Sequence, residues 1–206
     1  MDKKEFFTTW SNLHGGAKIE GIVKAWLQIS FSTAKFFARL RVTPNLLTFA
    51  GLFFAIALWQ YANSWPAAVF LVLSLFFDGI DGSLAILQNK TSKFGAFIDS
   101  FVDRISEVFW ALALYKLGAP ATLVFLALLA TYIQEYLRAR AGGLGYEEVG
   151  IVTICERPVR ASLIFIAIIA NLIGLEISLA ISIIWVAMQF IALSQLTGSL
   201  YKRLKN

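Results

Sequence analysis

The sequence predicts an all-α integral membrane protein, with six transmembrane helices preceded by an N-terminal amphipathic helix at the membrane interface. Of its 206 residues, 58% are hydrophobic and 15% are charged, whereas a soluble domain carries about 45–50% apolar and about 25% charged residues. The apolar residues also form runs separated by charged residues, as expected of successive membrane spans. This apolar excess requires lipid as its solvent, and the length suits one domain.

Six apolar runs are candidate spans, and most of them approach the roughly 20 residues that a bilayer requires. They cover residues 44–63, 66–87, 94–117, 121–136, 162–174 with an extended start, and 177–200. We therefore predict one membrane domain over residues 1–206, with a cytoplasmic juxtamembrane segment over 1–42 and a six-helix bundle over 43–201.

The basic residues predict the orientation of this bundle. All of the 18 lysines and arginines except Arg104 and Lys116 fall on one side of the six candidate spans. Basic residues accumulate on the cytoplasmic side of membrane proteins, so both termini of this multi-pass protein are expected there, in the cell (inner) membrane. The same rule explains the net charge of +5 without a nucleic-acid partner, because the basic residues form no single exposed stripe.

Residues 19–40 combine apolar side chains such as Trp26 and Phe36 with basic ones such as Lys24 and Lys35. We predict a helix that lies in the membrane interface, with its apolar face in the acyl chains and its basic face at anionic head groups. A seventh, imperfect span and a helix packed on the bundle are the alternatives. The polar residues before it lack the pattern of a signal peptide, so targeting is expected from the first span.

His14 and Cys155 are each the single residue of their type. One histidine excludes a histidine-rich metal site, and one cysteine excludes an internal disulfide. We predict that Cys155 is a buried, inert side chain, so the chemistry must come from other residues.

Four aspartates, Asp78, Asp81, Asp99 and Asp103, lie within predicted spans. A carboxylate at mid-bilayer costs about 2.5–3.5 kcal/mol, so these side chains must face the bundle interior or a water-filled cavity. Their spacing puts each pair on one helical face, and the short link over 88–93 makes the two helices antiparallel neighbours. Divalent cations would relieve the repulsion among the carboxylates, and Mg²⁺ or Mn²⁺ suits oxygen ligands. Two ions about 4 Å apart are a recurrent device for displacement at phosphorus.

A known sequence signature coincides with these aspartates. Residues 78–85 read DGIDGSLA and residues 95–103 read GAFIDSFVD. This arrangement resembles the signature of the CDP-alcohol phosphatidyltransferase family, which is D-x-x-D-G-x-x-A-R, eight residues, then G-x-x-x-D-x-x-x-D. Seven fixed positions agree, and residues 44–51 (PNLLTFAG) and the predicted spans extend the likeness over most of the chain.

The resemblance implies an enzyme of phospholipid biosynthesis, which transfers a phosphatidyl group from CDP-diacylglycerol to a small alcohol and releases CMP. In the family, the first three aspartates, here Asp78, Asp81 and Asp99, hold two Mg²⁺ or Mn²⁺ ions on the pyrophosphate. The fourth, Asp103, also lies near the metals and is the proposed general base on the acceptor hydroxyl. The resemblance further implies a homodimer with one active site per subunit.

Contacts to the CDP group are implied for Asp81, Gly82 and Ala85, since the two small residues let a nucleotide lie close to the helix. The family's arginine after the alanine is replaced by Ile86. Lys90 is one turn further on and could supply the missing charge; an ordinary cytoplasmic loop lysine is the alternative. The departure leaves open a pseudoenzyme that binds CDP-lipid without turning it over.

Four arginines, at 138, 140, 157 and 160, lie where the fourth span ends and the fifth begins. These segments look similar to bacterial phosphatidylinositol phosphate synthases and phosphatidylglycerophosphate synthases, whose acceptors carry a phosphate. Arginine side chains match phosphate oxygens, so Arg138, Arg140, Arg157 and Arg160 are predicted to bind the phosphate of inositol phosphate or glycerol 3-phosphate. Positive-inside charge without a ligand is the alternative.

A function of a different class is also open, because intramembrane carboxylates mark cation and proton pathways. A transporter would show ion flux and would need no CDP-lipid. It would also have no reason for the small residues Gly79, Gly82, Ala85 and Gly95, which leave room for helices to approach or for a ligand to enter.

Overall fold

Eight α-helices account for all the regular secondary structure in the part of the chain that the structure describes, residues 1–145 and 151–205, which contains no strand. The structure is a computed structural model. The helices are α1 (Lys3–Leu13), α2 (Gly21–Arg39), α3 (Pro44–Gln60), α4 (Pro66–Leu87), α5 (Lys93–Lys116), α6 (Ala121–Gly143), α7 (Arg157–Leu172) and α8 (Ser178–Leu204). The predicted all-α class is confirmed, and a helix occupies each of the six candidate spans.

Two helices, α4 with 22 residues and α8 with 27, are long and apolar enough to cross a membrane by themselves. Together α2 and α3 also reach this length and hydropathy, but they are bent by 111° at the break between them. The helix α5 carries Asp99, Asp103, Arg104 and Glu107 within one stretch, and α7 has only 16 residues. By length and composition the described residues therefore give two or three spans, and the crossing of all six helices stays a prediction.

The first helix, α1, was not predicted, although its start carries a recognisable signal. The side chain of Asp2 accepts a hydrogen bond from the backbone N–H of Glu5 at 2.8 Å, which is the N-cap contact favoured at helix starts. At the other end, Leu13 is followed by His14, whose backbone N–H donates to the carbonyls of Trp10 and Ser11. The region is polar and lacks a long apolar run, so the sequence pattern does not predict this short capped helix.

The chain divides into two compact units, residues 1–54 with 72–106, and residues 55–71 with 107–206. In the first unit, one buried cluster joins α2, α3 and α4, and a second joins α1, α2 and α4. The residues of these clusters are Ala34, Leu47, Ile80 and Leu84, and Phe6, Leu27 and Ile86, respectively. The first unit therefore holds α1 against the helix that carries the first two aspartates.

The second unit is built on the packing of α8 against α6 and α7. Polar side chains lie inside it: Gln189 on α8 donates to Gln134 on α6, which in turn donates to Thr153 at 3.1 Å. The helix α6 ends at Gly143, and Gly145 has a positive φ of 87°, so the glycines of this segment end the helix. Lys116 donates to the backbone oxygens of Trp59 and Gln60 at 3.3 and 2.7 Å.

Candidate active site

Three of the four aspartates form a cluster where α4 and α5 face each other. Asp78, Asp99 and Asp103 each offer a carboxylate oxygen, and these atoms all lie within 4.8 Å of one another. Hard oxygen donors are those that Mg²⁺ and Mn²⁺ prefer. The donor set therefore fits a divalent cation, which would offset the repulsion among the three carboxylates.

Asp81 lies beside this cluster and is held by a residue of α3. The hydroxyl of Thr48 donates to Asp81 Oδ2 at 2.5 Å, and the backbone N–H of Gly82 donates to Oδ1 at 2.5 Å. Asp81 is 5% exposed. Because both oxygens accept hydrogen bonds, the side chain has a fixed direction, and Thr48 is a site residue that the sequence motif alone does not reveal.

Close helix packing and a cap bring these elements into position. An added Cβ on Gly51 of α3 would lie 3.1 Å from the backbone oxygen of Ser74 on α4, so a glycine lets these helices approach. The hydroxyl of Ser92 accepts from the N–H of Gly95 at 3.0 Å and caps the start of α5. Glycine and serine thus set the separations on which the carboxylate geometry depends.

A cavity of about 710 Å³ opens between the helices of the first unit. All four residues predicted to contact CDP line it, as do three of the aspartates, whereas Asp103 joins the carboxylate cluster without lining the cavity. Residues of α1 and α2 complete the walls. The lining includes Trp10, Leu13, His14, Trp26, Thr48, Asp78, Asp81, Gly82, Ala85, Ile86, Lys90, Lys93 and Asp99.

Two glycines of α4 have opposite environments, and this difference gives a test of the cavity. A Cβ on Gly79 would lie 2.5 Å from Trp26, whereas a Cβ on Gly82 would meet nothing within 4 Å. We expect Gly79→Ala to reduce the free energy of unfolding by about 1–3 kcal/mol through overpacking. Gly82→Ala should leave the free energy of unfolding within about 1 kcal/mol of the wild type. The same variant should weaken CDP binding. Thermal unfolding and calorimetric titration with CDP would separate the two effects, and unchanged CDP affinity in Gly82→Ala would contradict this assignment.

Ile86, in the family's arginine position, lines the cavity and also makes an apolar contact with α1 and α2. It is 3% exposed and packs in one cluster with Phe6 of α1 and Leu27 of α2, both fully buried. Lys90, the predicted substitute for the missing charge, lines the same cavity. The position therefore serves the attachment of α1 to α4.

The four arginines predicted to bind an acceptor phosphate occupy different environments. Arg138 contacts Glu156 through two nitrogens, at 2.5 and 2.9 Å. The guanidinium of Arg157 lies 5.0 Å from the ring centre of Trp110, and Arg140 is exposed. Two of the four arginines bind carboxylates of the protein: Arg138 binds Glu156, and Arg160 binds Glu107.

Arg160 forms a buried ion pair with Glu107. Its Nε and Nη2 atoms donate to Glu107 Oε1 at 2.8 and 2.6 Å, and Nη1 donates to the backbone oxygen of Cys155 at 2.7 Å. Both side chains of the pair are 1% exposed. This contact joins the start of α7 to α5, and no sequence spacing marks it.

Glu156 organises the segment that leads into α7. Its carboxylate accepts from the backbone N–H and the hydroxyl of Thr153, both at 2.7 Å, besides Arg138. Burial alone would raise the pKa of Glu156, but the hydrogen bonds from Arg138 and Thr153 outweigh it and hold the pKa below its usual value of 4.5. The charged carboxylate therefore stabilises the folded state.

This depressed pKa predicts an acid-dependent loss of stability. The contribution of Glu156 is complete above its unfolded pKa and is lost as the pH falls through the lower pKa of the folded state. We expect Glu156→Gln to cost about 1–3 kcal/mol near neutral pH and to reduce the loss of stability on acidification. The melting temperature at about pH 7 and about pH 4 measures both. The exposed Glu176 supplies the control, since Glu176→Gln should behave as the wild type.

Cys155 is fully buried, as predicted. Burial raises the pKa of its thiol to about 11, so the reactive thiolate is scarce at neutral pH.

The comparison with known families decides which chemistry this arrangement serves. Residues 41–193 match the sequence model of the CDP-alcohol phosphatidyltransferases. The chain belongs to this family. It is therefore an enzyme, a CDP-alcohol phosphatidyltransferase of phospholipid biosynthesis, in a family of metal-dependent membrane proteins.

Two relatives of this CDP-alcohol phosphatidyltransferase are named as synthases of inositol phosphate lipids. An archaetidylinositol phosphate synthase of Pyrococcus horikoshii is 35% identical over 159 residues, which cover 74% of this chain and 82% of the relative. A phosphatidylinositol phosphate synthase of Corynebacterium glutamicum is 34% identical over 180 residues, covering 81% and 74%, respectively.

Solved structures of a Mycobacterium tuberculosis phosphatidylinositol phosphate synthase share the fold of this transferase. The structure with CDP-DAG bound has a TM-score of 0.66 at 20% identity and covers 84% of this chain and 92% of that protein. The complex with manganese and citrate has a TM-score of 0.65, also at 20% identity, with coverages of 84% and 87%.

Proposed function

We propose that this enzyme transfers the phosphatidyl group of CDP-diacylglycerol to the hydroxyl of inositol phosphate and releases CMP. The observation that carries the proposal is the cluster of Asp78, Asp99 and Asp103 beside a cavity that Asp81 also lines. The names of the relatives support inositol phosphate as the acceptor. Glycerol 3-phosphate is the alternative acceptor, because the same arginines are predicted to bind its phosphate.

The reaction exchanges one ester bond for another at phosphorus. The acceptor oxygen forms a bond to the phosphorus that carries the lipid, the bond from that phosphorus to the CMP oxygen breaks, and the hydroxyl proton passes to a base. Asp103 is the proposed base, as the family resemblance implies, and its carboxylate lies beside those of Asp78 and Asp99. A bound divalent cation would supply charge stabilisation on the pyrophosphate.

The other side chains are assigned to binding. Asp78, Asp81, Asp99 and Asp103 would hold two Mg²⁺ or Mn²⁺ ions, with Thr48 fixing the direction of Asp81. Gly82 leaves open space for the nucleotide, beside Ala85 and Lys90. Arg138, Arg140, Arg157 and Arg160 are the arginines proposed for the acceptor phosphate; Arg138 and Arg160 also bind carboxylates of the protein, and Arg140 is exposed.

The membrane arrangement is part of the proposal. We place six spans over α3–α8 of a single membrane domain, with α2 at the interface and both termini in the cytoplasm, where the basic residues lie. The exposed apolar side chains of α2, such as Ile22 at 89% and Phe36 at 57%, support a position against acyl chains. The enzyme would work as a homodimer in the cell membrane.

Release of CMP by the purified protein in detergent tests this function. CDP-diacylglycerol and Mg²⁺ or Mn²⁺ are supplied, and inositol 1-phosphate, glycerol 3-phosphate, inositol and serine are added in turn. We expect CMP with inositol 1-phosphate, none after chelation of the metal, and recovery when metal is restored. CMP with glycerol 3-phosphate alone would reassign the acceptor. No CMP with any acceptor, despite CDP-lipid binding, would indicate a binding protein.

A further inference from the structure

We propose that α1 is part of the donor site, where the stacked rings of Trp10 and His14 form the platform for the pyrimidine base of the CDP-lipid. Ile86 provides the apolar contact that holds α1 in place. This inference rests on the proposed function, since it assigns one portion of that donor to residues of this chain. The matched family region begins at residue 41, so α1 lies outside it.

The cavity presents two kinds of chemistry on its walls. Asp78, Asp81 and Asp99 contribute oxygen ligands, whereas Trp10 and His14 contribute aromatic rings. A nucleotide donor has the same two parts, an anionic pyrophosphate that binds with metal and a flat base that stacks. The volume of about 710 Å³ falls within the roughly 300–1,000 Å³ of small-molecule sites.

The aromatic pair is ordered by the end of its own helix. The ring centres of Trp10 and His14 are 4.0 Å apart, with an angle of 19° between the rings. The Nδ1 atom of His14 lies 2.8 Å from the backbone oxygen of Trp10. A carbonyl only accepts, so Nδ1 carries the hydrogen in this contact. A platform that is already stacked loses little side-chain freedom when a base binds.

Ile86 explains why this chain can place α1 there. Its side chain packs with Phe6 and Leu27, and Trp10 packs against the same cluster. An arginine at this position, as in the family pattern, would put a guanidinium into an apolar contact at a large cost in free energy. Isoleucine therefore replaces the family's cationic side chain with an apolar contact to α1, and α1 in turn places the ring of Trp10 at the cavity.

The alternative is that α1 only covers the first unit and that the stacked pair is a surface feature. The two accounts differ in nucleotide affinity. Calorimetric titration of the full-length protein in detergent, in the presence of Mg²⁺, would compare CDP with inorganic pyrophosphate, because only CDP carries a base.

We expect Trp10→Ala to weaken CDP binding by about 10-fold or more and to leave pyrophosphate binding unchanged. His14→Ala should act in the same direction while keeping the packing of Trp10, and Trp10→Phe should be intermediate. Thr8→Ala is the matched control, since Thr8 is exposed on the same helix and does not line the cavity. Ile86→Arg should lose the preference for CDP over pyrophosphate, although it restores the family residue.

The outcomes separate this inference from the function on which it rests. A wild-type protein that binds neither CDP nor pyrophosphate would remove the proposed function itself. Wild-type binding of both ligands, with unchanged CDP affinity in Trp10→Ala and His14→Ala, would overturn the platform and leave the function standing. Tighter CDP binding by Ile86→Arg would contradict the role of Ile86 in holding α1 at the cavity.

Discussion

Replacing Asp103 with asparagine is expected to slow CMP release by about 10²–10⁴-fold, because the variant cannot take the proton of the acceptor hydroxyl. Asparagine keeps the size of the side chain in the cluster with Asp78 and Asp99. The binding of CDP with Mg²⁺ should change much less than the rate. Single-turnover CMP release and calorimetric CDP titration measure the two quantities separately.

Two further variants give this prediction its controls. Asp81→Asn changes a residue that lines the cavity and accepts from Thr48, so its main effect should be weaker CDP binding. Ser100→Ala alters an exposed residue of α5 that does not line the cavity and should change neither quantity. Equal losses of CDP binding in Asp103→Asn and Asp81→Asn would make Asp103 a metal ligand only.

Breaking the buried pair of Arg160 and Glu107 is expected to have the largest effect on stability. Both side chains are 1% exposed, so replacing either residue removes a buried ion pair, while the contact of Arg160 with Glu135 at 3.5 Å remains in Glu107→Gln. Arg160→Met or Glu107→Gln should each cost about 3–5 kcal/mol. For a chain of this size that corresponds to a fall of roughly 6–20 °C in the melting temperature, measured by thermal unfolding in detergent.

A double variant distinguishes an ion pair from loss of packing. Replacing both residues, as Glu107→Leu with Arg160→Met, removes both charges and should recover much of the lost stability. Arg140→Ala, at an exposed position, should stay within about 0.5 kcal/mol of the wild type. If Arg160→Met is as stable as Arg140→Ala and instead raises the KM for the acceptor, then Arg160 binds substrate and its contact with Glu107 is secondary.

The all-α fold could be predicted because its signals are local. The helices α4 and α6 start at Pro66 and Ala121, where the apolar runs begin, and the aspartate spacings of three and four residues already put each pair on one face. Three of the four carboxylates do lie together. Both inferences depend on periodicity within single helices, which sequence carries directly.

The contacts that sequence did not reveal join residues far apart in the chain. Thr48 and Asp81 are 33 residues apart, and Glu107 and Arg160 are 53 apart. Such pairs depend on how helices pack, which no local pattern encodes. The role of Ile86 is of the same kind: the motif marks a missing arginine, but only packing shows α1 in contact with that position.

The buried thiol of Cys155 makes this protein a convenient background for chemical labelling. Maleimide reagents attack thiolates, and a single cysteine that is fully buried with a pKa of about 11 will react slowly. Reporter cysteines can therefore be introduced one at a time without first removing the native one. A membrane-impermeant maleimide applied to intact cells would label a cysteine at exposed position Tyr115 and spare one at Lys90 if the proposed topology holds. The reverse pattern would invert the orientation, and labelling of both would require a different number of spans between them.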